Sequence, residues 1–141
     1  MSENMASPTV RDQALDSLNV LVGTWNVSGE TQGQLRFEWL EGERFLVQHV
    51  DLDAFAGVEI IGYDDDNACL RSHFFSSEGS VVHYVYEITD QSLWIEIDSG
   101  ARKGEFLGDF TDDFNTIVGS WEWTENGRAI GYDATVTRVR S

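Results

Sequence analysis

His49, His73 and His83 are the only histidines of this 141-residue chain, and imidazole is the side chain that exchanges protons most readily near neutral pH. Each sits inside a run of alternating apolar and polar residues, and Tyr84 and Tyr86 follow His83 closely. An inward-facing imidazole beside a phenol would form an acid/base pair able to move a proton on a bound substrate. Parity sets His83 with Glu87 on an outer face. His49, in step with Phe45 and Val47, and His73, in step with Phe75, are expected to reach the interior. The catalytic candidates are therefore His73, His49, Tyr84 and Tyr86, with Asp51 and Glu96 completing the pool of acids and bases. The plainer reading makes each a strand histidine, exposed or held by a neighbouring carboxylate.

Other chemistries lack their residues. No His-x-His, His-x3-His or cysteine pair occurs, so zinc has no ligand spacing, and no metal is expected. Asp64-Asp65-Asp66-Asn67 and Asp112-Asp113-Phe114-Asn115 offer oxygens without the distal Glu of a calcium loop and are expected to be hairpin turns. Gly-x-Ser-x-Gly is absent, Cys69 has no base nearby in sequence, and the glycines are too scattered for a phosphate loop. No cofactor is expected.

Large rings are plentiful. Phe37, Trp39, Tyr84, Tyr86, Trp94, Phe106, Trp121 and Trp123 exceed what a tightly filled small barrel needs, and with His49 and His73 they are the expected ligand-binding residues. The competing reading is that these rings only fill a core.

The elements that must position them are strands. Ala14, Leu15, Leu18, Leu21 and Val22 recur at helical spacing after a cap at Ser7 or Thr9, and Gly23 ends that helix. From Gly23 the period is two, with strands expected at 23–30, 34–40, 45–52, 58–64, 68–76, 80–89, 92–98, 103–110, 116–124 and 131–139, divided by Gly, Asn and Asp turns. Ten strands joined by short turns exceed a comfortable open sheet. The expected fold is all-β: a closed antiparallel up-and-down barrel of about ten strands, with a short N-terminal helix capping one end, in a single domain over 1–141 whose first seven residues are disordered. Trp25, Val27, Leu35, Phe37, Trp39, Phe106, Gly108, Phe110, Ile117, Gly119, Trp121 and Trp123 are expected inside. The phase of strands three, five and seven stays open, because both faces carry apolar residues.

Twenty-five acids against nine bases give a formal charge of −16, which repels nucleic acid and anionic membrane surfaces and excludes both as expected partners. A single cysteine precludes an intrachain disulfide, and the first residues lack a basic and apolar leader, so a cytoplasmic protein is expected, monomeric or homodimeric.

Leu21-Val22-Gly23-Thr24-Trp25, Phe37-Glu38-Trp39-Leu40, Ile60-Ile61-Gly62-Tyr63-Asp64, His73-Phe74-Phe75-Ser76-Ser77-Glu78-Gly79 and Thr116-Ile117-Val118-Gly119-Ser120-Trp121 together resemble a bacterial family of small calycin-like proteins without an assigned activity. Calycins include lipocalins, fatty-acid-binding proteins and nitrobindins. The resemblance implies a closed barrel with an internal cavity and an Arg of the last strand, here Arg138, packed over the Trp25 indole. It implies no haem, since the nitrobindin ligand histidine near the C-terminus is absent from Thr135-Val136-Thr137-Arg138-Val139-Arg140-Ser141. The Arg-x-Tyr pair with which fatty-acid carriers hold a carboxylate is also absent. The expected function is binding of a small, mostly apolar ligand, uncharged or cationic. The alternative is a cofactor-free cyclase, isomerase or hydratase acting on a polyketide- or terpenoid-like molecule.

Overall fold

A computed structural model describes residues 9–100 and 102–140 of the chain. The expected disorder over 1–7, and Ser7 as a cap, lie outside the described residues. Helix α1 (Val10–Ser17) begins where the Thr9 hydroxyl accepts a hydrogen bond from the Asp12 amide at 3.0 Å, satisfying one of the amides that a helix start leaves free. A 3-10 turn over Leu18–Leu21 continues it. Ten strands follow: β1 (Gly23–Gly29), β2 (Gly33–Trp39), β3 (Leu46–Leu52), β4 (Ala56–Asp64), β5 (Cys69–Ser76), β6 (Val81–Thr89), β7 (Ser92–Ser99), β8 (Arg102–Thr111), β9 (Thr116–Glu125) and β10 (Arg128–Arg138).

Each strand pairs antiparallel with its sequence neighbours, and β1 closes the ring on β10 through Trp25↔Arg138 and Val27↔Val136. Closure leaves no strand edge open to another chain. The last strand starts three residues earlier than expected, because Asn126 and Gly127 (φ 51° and 76°) make a two-residue turn. That geometry matches the twist of the flanking strands, so pairing runs to Glu125↔Arg128.

One end of the barrel is sealed by the helical segment. Leu15, Leu18 and Leu21 are buried against it, and the fully buried Trp25 donates from its indole nitrogen to the Leu21 carbonyl at 2.8 Å. The Arg138 guanidinium lies 4.2 Å from the centre of the Trp25 ring. It donates to the carbonyls of Val22, Val20 and Phe114 at 2.6, 2.8 and 3.1 Å and to Asn115 Oδ1 at 3.0 Å. Gly23 is required beside it: φ is 128°, and a Cβ there would lie 2.9 Å from Arg138 Nη1. A Trp25→Phe variant is therefore expected to lose a blue-shifted component of the tryptophan emission. Loss of a red-shifted component instead would contradict the burial of this indole.

The unsettled strands resolve in one sense. Leu46, Gln48 and Val50 of β3, Leu70, Ser72 and Phe74 of β5, and Leu93 and Ile95 of β7 are buried in the interior phase. Phe45 and Phe75, with which His49 and His73 were aligned, are instead 48% and 45% exposed. The alternation misleads here because the outer wall carries large apolar residues while the inner wall admits polar ones.

Candidate functional site

The strands enclose a cavity of about 130 Å³. Leu21 of the sealing turn bounds it at one end, and at the other Thr31 and Phe55 approach it from the β1–β2 and β3–β4 hairpins. The wall between is mostly apolar. Gly108 and Gly119 face each other across β8 and β9, and a Cβ on Gly119 would lie 2.5 Å from the Phe106 ring. Two glycines therefore let that ring lie flat against the sheet, with Trp121 tilted beside it at 5.4 Å between centroids.

One corner of this wall is polar. Glu59, on β4, is 3% exposed, and its carboxyl accepts from Gln48 Nε2 on β3, from the Tyr86 hydroxyl on β6 at 2.8 Å and from the Ser72 hydroxyl on β5 at 2.5 Å. Four adjacent strands thus converge on one carboxyl, each supplying an inward residue. Burial raises the Glu59 pKa above its ordinary value, and the three donated hydrogen bonds pull the other way without cancelling it. Tyr86 is pushed well above its usual range, first by burial and then by the negative charge of Glu59, so it stays a neutral donor. At the open end burial also raises Tyr132, with nearby Glu30 adding to the effect.

Among the expected site residues, Phe37, Tyr84, Tyr86, Phe106 and Trp121 line this cavity. Trp39 has the interior phase but sits under the helical segment, where its indole donates to Asn19 Oδ1 at 2.9 Å. Trp123 packs edge-on against Tyr132 at 5.8 Å and is not part of the lining. Trp94 belongs to the outer face, held by Glu105 Oε1 at 2.8 Å.

The histidine expectation is corrected. His49 is outside, its Nε2 2.8 Å from Glu38 Oε2, so a surface carboxylate satisfies it. His73 is exposed, edge-on to His83 at 4.5 Å and stacked near Phe75 at 6.3 Å. Asp51 and Glu96 are exposed as well. Tyr84 and Tyr86 are the members of the proposed acid/base pool that reach the cavity, and their ionisable neighbour there is Glu59, which the sequence analysis did not single out. A signal existed: Glu59 shares its phase with Ile61 and Tyr63, so a carboxylate stood on an otherwise apolar face. Val58 and Ile60 on the opposite phase masked it. Among the described residues no three His, Cys, Asp or Glu side chains gather as metal ligands, and no helix is long and apolar enough to cross a membrane.

A closed ten-stranded antiparallel barrel, sealed by an N-terminal helix and by an arginine over the Gly-x-Trp indole, fits the calycin-like class. The chain matches no protein-family model and no curated protein sequence, so the cavity itself must carry the functional argument.

Proposed function

We propose that this protein, a barrel of the bacterial calycin-like type acting in the cytoplasm, binds a small, mostly apolar molecule in its lumen. The observation that carries this is the cavity of about 130 Å³, apolar over most of its wall, with a buried hydrogen-bonding corner at Glu59. Pockets that hold small molecules combine such walls with a few convergent polar groups. Apolar cavities of roughly 150 Å³ take up benzene, which sets the ligand size at about one ring. Long-chain fatty acids fit poorly on two grounds. They exceed the volume, and the lining described here offers no arginine or lysine to a carboxylate. In a thermal-shift screen, single-ring aromatic and alicyclic compounds at millimolar concentration are expected to raise the melting temperature by a few degrees through mass action. No shift across a broad panel, together with an empty barrel in native mass spectra of protein purified from its own host, would defeat the proposal.

One observation favours the catalytic alternative. Glu59 is a carboxyl of raised pKa beside the Tyr86 hydroxyl in an apolar site, the setting in which a carboxyl serves as a proton shuttle at neutral pH. An isomerase acting on a one-ring substrate would use Glu59 to take and return the proton. In that case Glu59→Gln would abolish turnover while keeping ligand affinity.

A further inference from the structure

The Glu59 corner lacks a positive charge. Its carboxyl is met by three neutral donors, Gln48, Ser72 and Tyr86, which occupy three of the roughly four lone-pair positions that a carboxylate presents. None of the described residues lining the cavity is Arg, Lys or His. Arg138, the cation that enters the barrel end, is committed to Val20, Val22, Phe114, Asn115 and the Trp25 ring. A buried carboxyl without a counter-charge is pushed toward its neutral form, and a cation placed beside it restores the ionised one. Aromatic rings of Tyr84, Tyr86, Phe106 and Trp121 stand in the same wall, and ring faces attract cations.

We infer that the lumen selects a small organic amine with an apolar body, bound as its ammonium against the Glu59 carboxylate and the surrounding ring faces. This rests on the proposed binding function and specifies its ligand class. The ammonium supplies the charge that the protein withholds, while the hydrocarbon part occupies the apolar wall. A carboxylate ligand of the same shape meets Glu59 as a like charge and is rejected. A neutral ligand gains the wall but leaves the corner as it was. The 16 net negative charges of the chain also concentrate organic cations near the barrel, an effect that salt removes.

The test uses four probes of one shape, benzylamine, benzyl alcohol, toluene and benzoate, titrated by calorimetry at ~0.15 M salt, where surface attraction is screened. Benzylamine is expected to bind at least about tenfold more tightly than benzyl alcohol or toluene, to be displaced by toluene, and to lose that advantage in Glu59→Gln, a change that keeps side-chain volume. Benzoate is expected not to bind. Amine affinity of the unmodified protein is further expected to fall as the pH is lowered, because protonating Glu59 removes the counter-ion. That measurement needs no variant. Should toluene and benzyl alcohol bind as well as benzylamine, or should Glu59→Gln and acid leave the amine unaffected, amine selection is overturned while lumen binding stands. If none of the four binds, both are overturned.

Discussion

Replacing Arg138 by methionine is expected to lower the melting temperature on the order of 10 °C, equivalent to about 2–4 kcal/mol for a domain of this size. The aliphatic bulk over Trp25 is retained, so the loss reports the guanidinium. Four acceptors around it, the carbonyls of Val20, Val22 and Phe114 and the Asn115 side chain, lose a charged donor. Hydrogen bonds from a charged group contribute about 1.5–3 kcal/mol each, but these acceptors are only half-buried and water recovers part of the loss. Arg138→Lys is expected to restore less than half. One ammonium on a flexible stem cannot reach carbonyls that a planar fork meets in several directions. A lysine variant as stable as the unmodified protein would show that charge alone matters there. A methionine variant as stable would remove Arg138 from the closure of the barrel.

Glu59→Gln is expected to change how stability depends on pH. The folded chain holds the Glu59 proton more tightly than the unfolded chain, because burial raises the pKa. Between the ordinary glutamate value, about 4.3, and the raised folded value, the folded state binds more protons. In that window rising pH costs stability, at up to about 1.4 kcal/mol per pH unit. The contribution is fully present below the ordinary value and lost as pH climbs through the folded one. Glutamine does not titrate. Urea denaturation between pH 4 and 8 is therefore expected to show the variant gaining on the unmodified protein as pH rises, with all other acids common to both. Profiles that stay parallel would place Glu59 in a solvated setting and remove the basis for its role in the lumen.

Much of the architecture was legible in the alternation. Nine of the ten strands begin within two residues of where the pattern sets them, because Gly, Asn and Asp mark turns that only a few residue types can make. The phases of β1 and β2 were legible too: Trp25 and Phe37 alternate with charged or small polar residues, so one assignment alone buries the apolar set. In β8 and β9 the same inward phase holds Phe106, Phe110 and Ile117, although Leu107 and Val118 stand exposed on the outer face. Where both faces are apolar, as in β3 and β5, the pattern loses its meaning. There Gln48 and Ser72 turn inward, against what their types alone suggest, while Phe45 and Phe75 stay exposed.

The sequence by itself determined that this chain makes a closed antiparallel barrel with a helix at one end, since period, turn chemistry and strand number are local properties that add along the chain. The pair that closes that end, Trp25 and Arg138, followed from the resemblance to calycins and not from period or spacing, and the guanidinium does lie over that ring. Only the tertiary structure decided the site. Glu59, Gln48, Ser72 and Tyr86 come from four strands, and their meeting depends on the registers Gln48↔Glu59, Ile61↔Ser72 and Leu70↔Tyr86, each set by pairing across a hairpin. A polar side chain is tolerated inside when its partners arrive with it, and no single strand records whether they do. The same dependence carried His49 and His73 to the outer wall, where one meets Glu38 and the other meets His83.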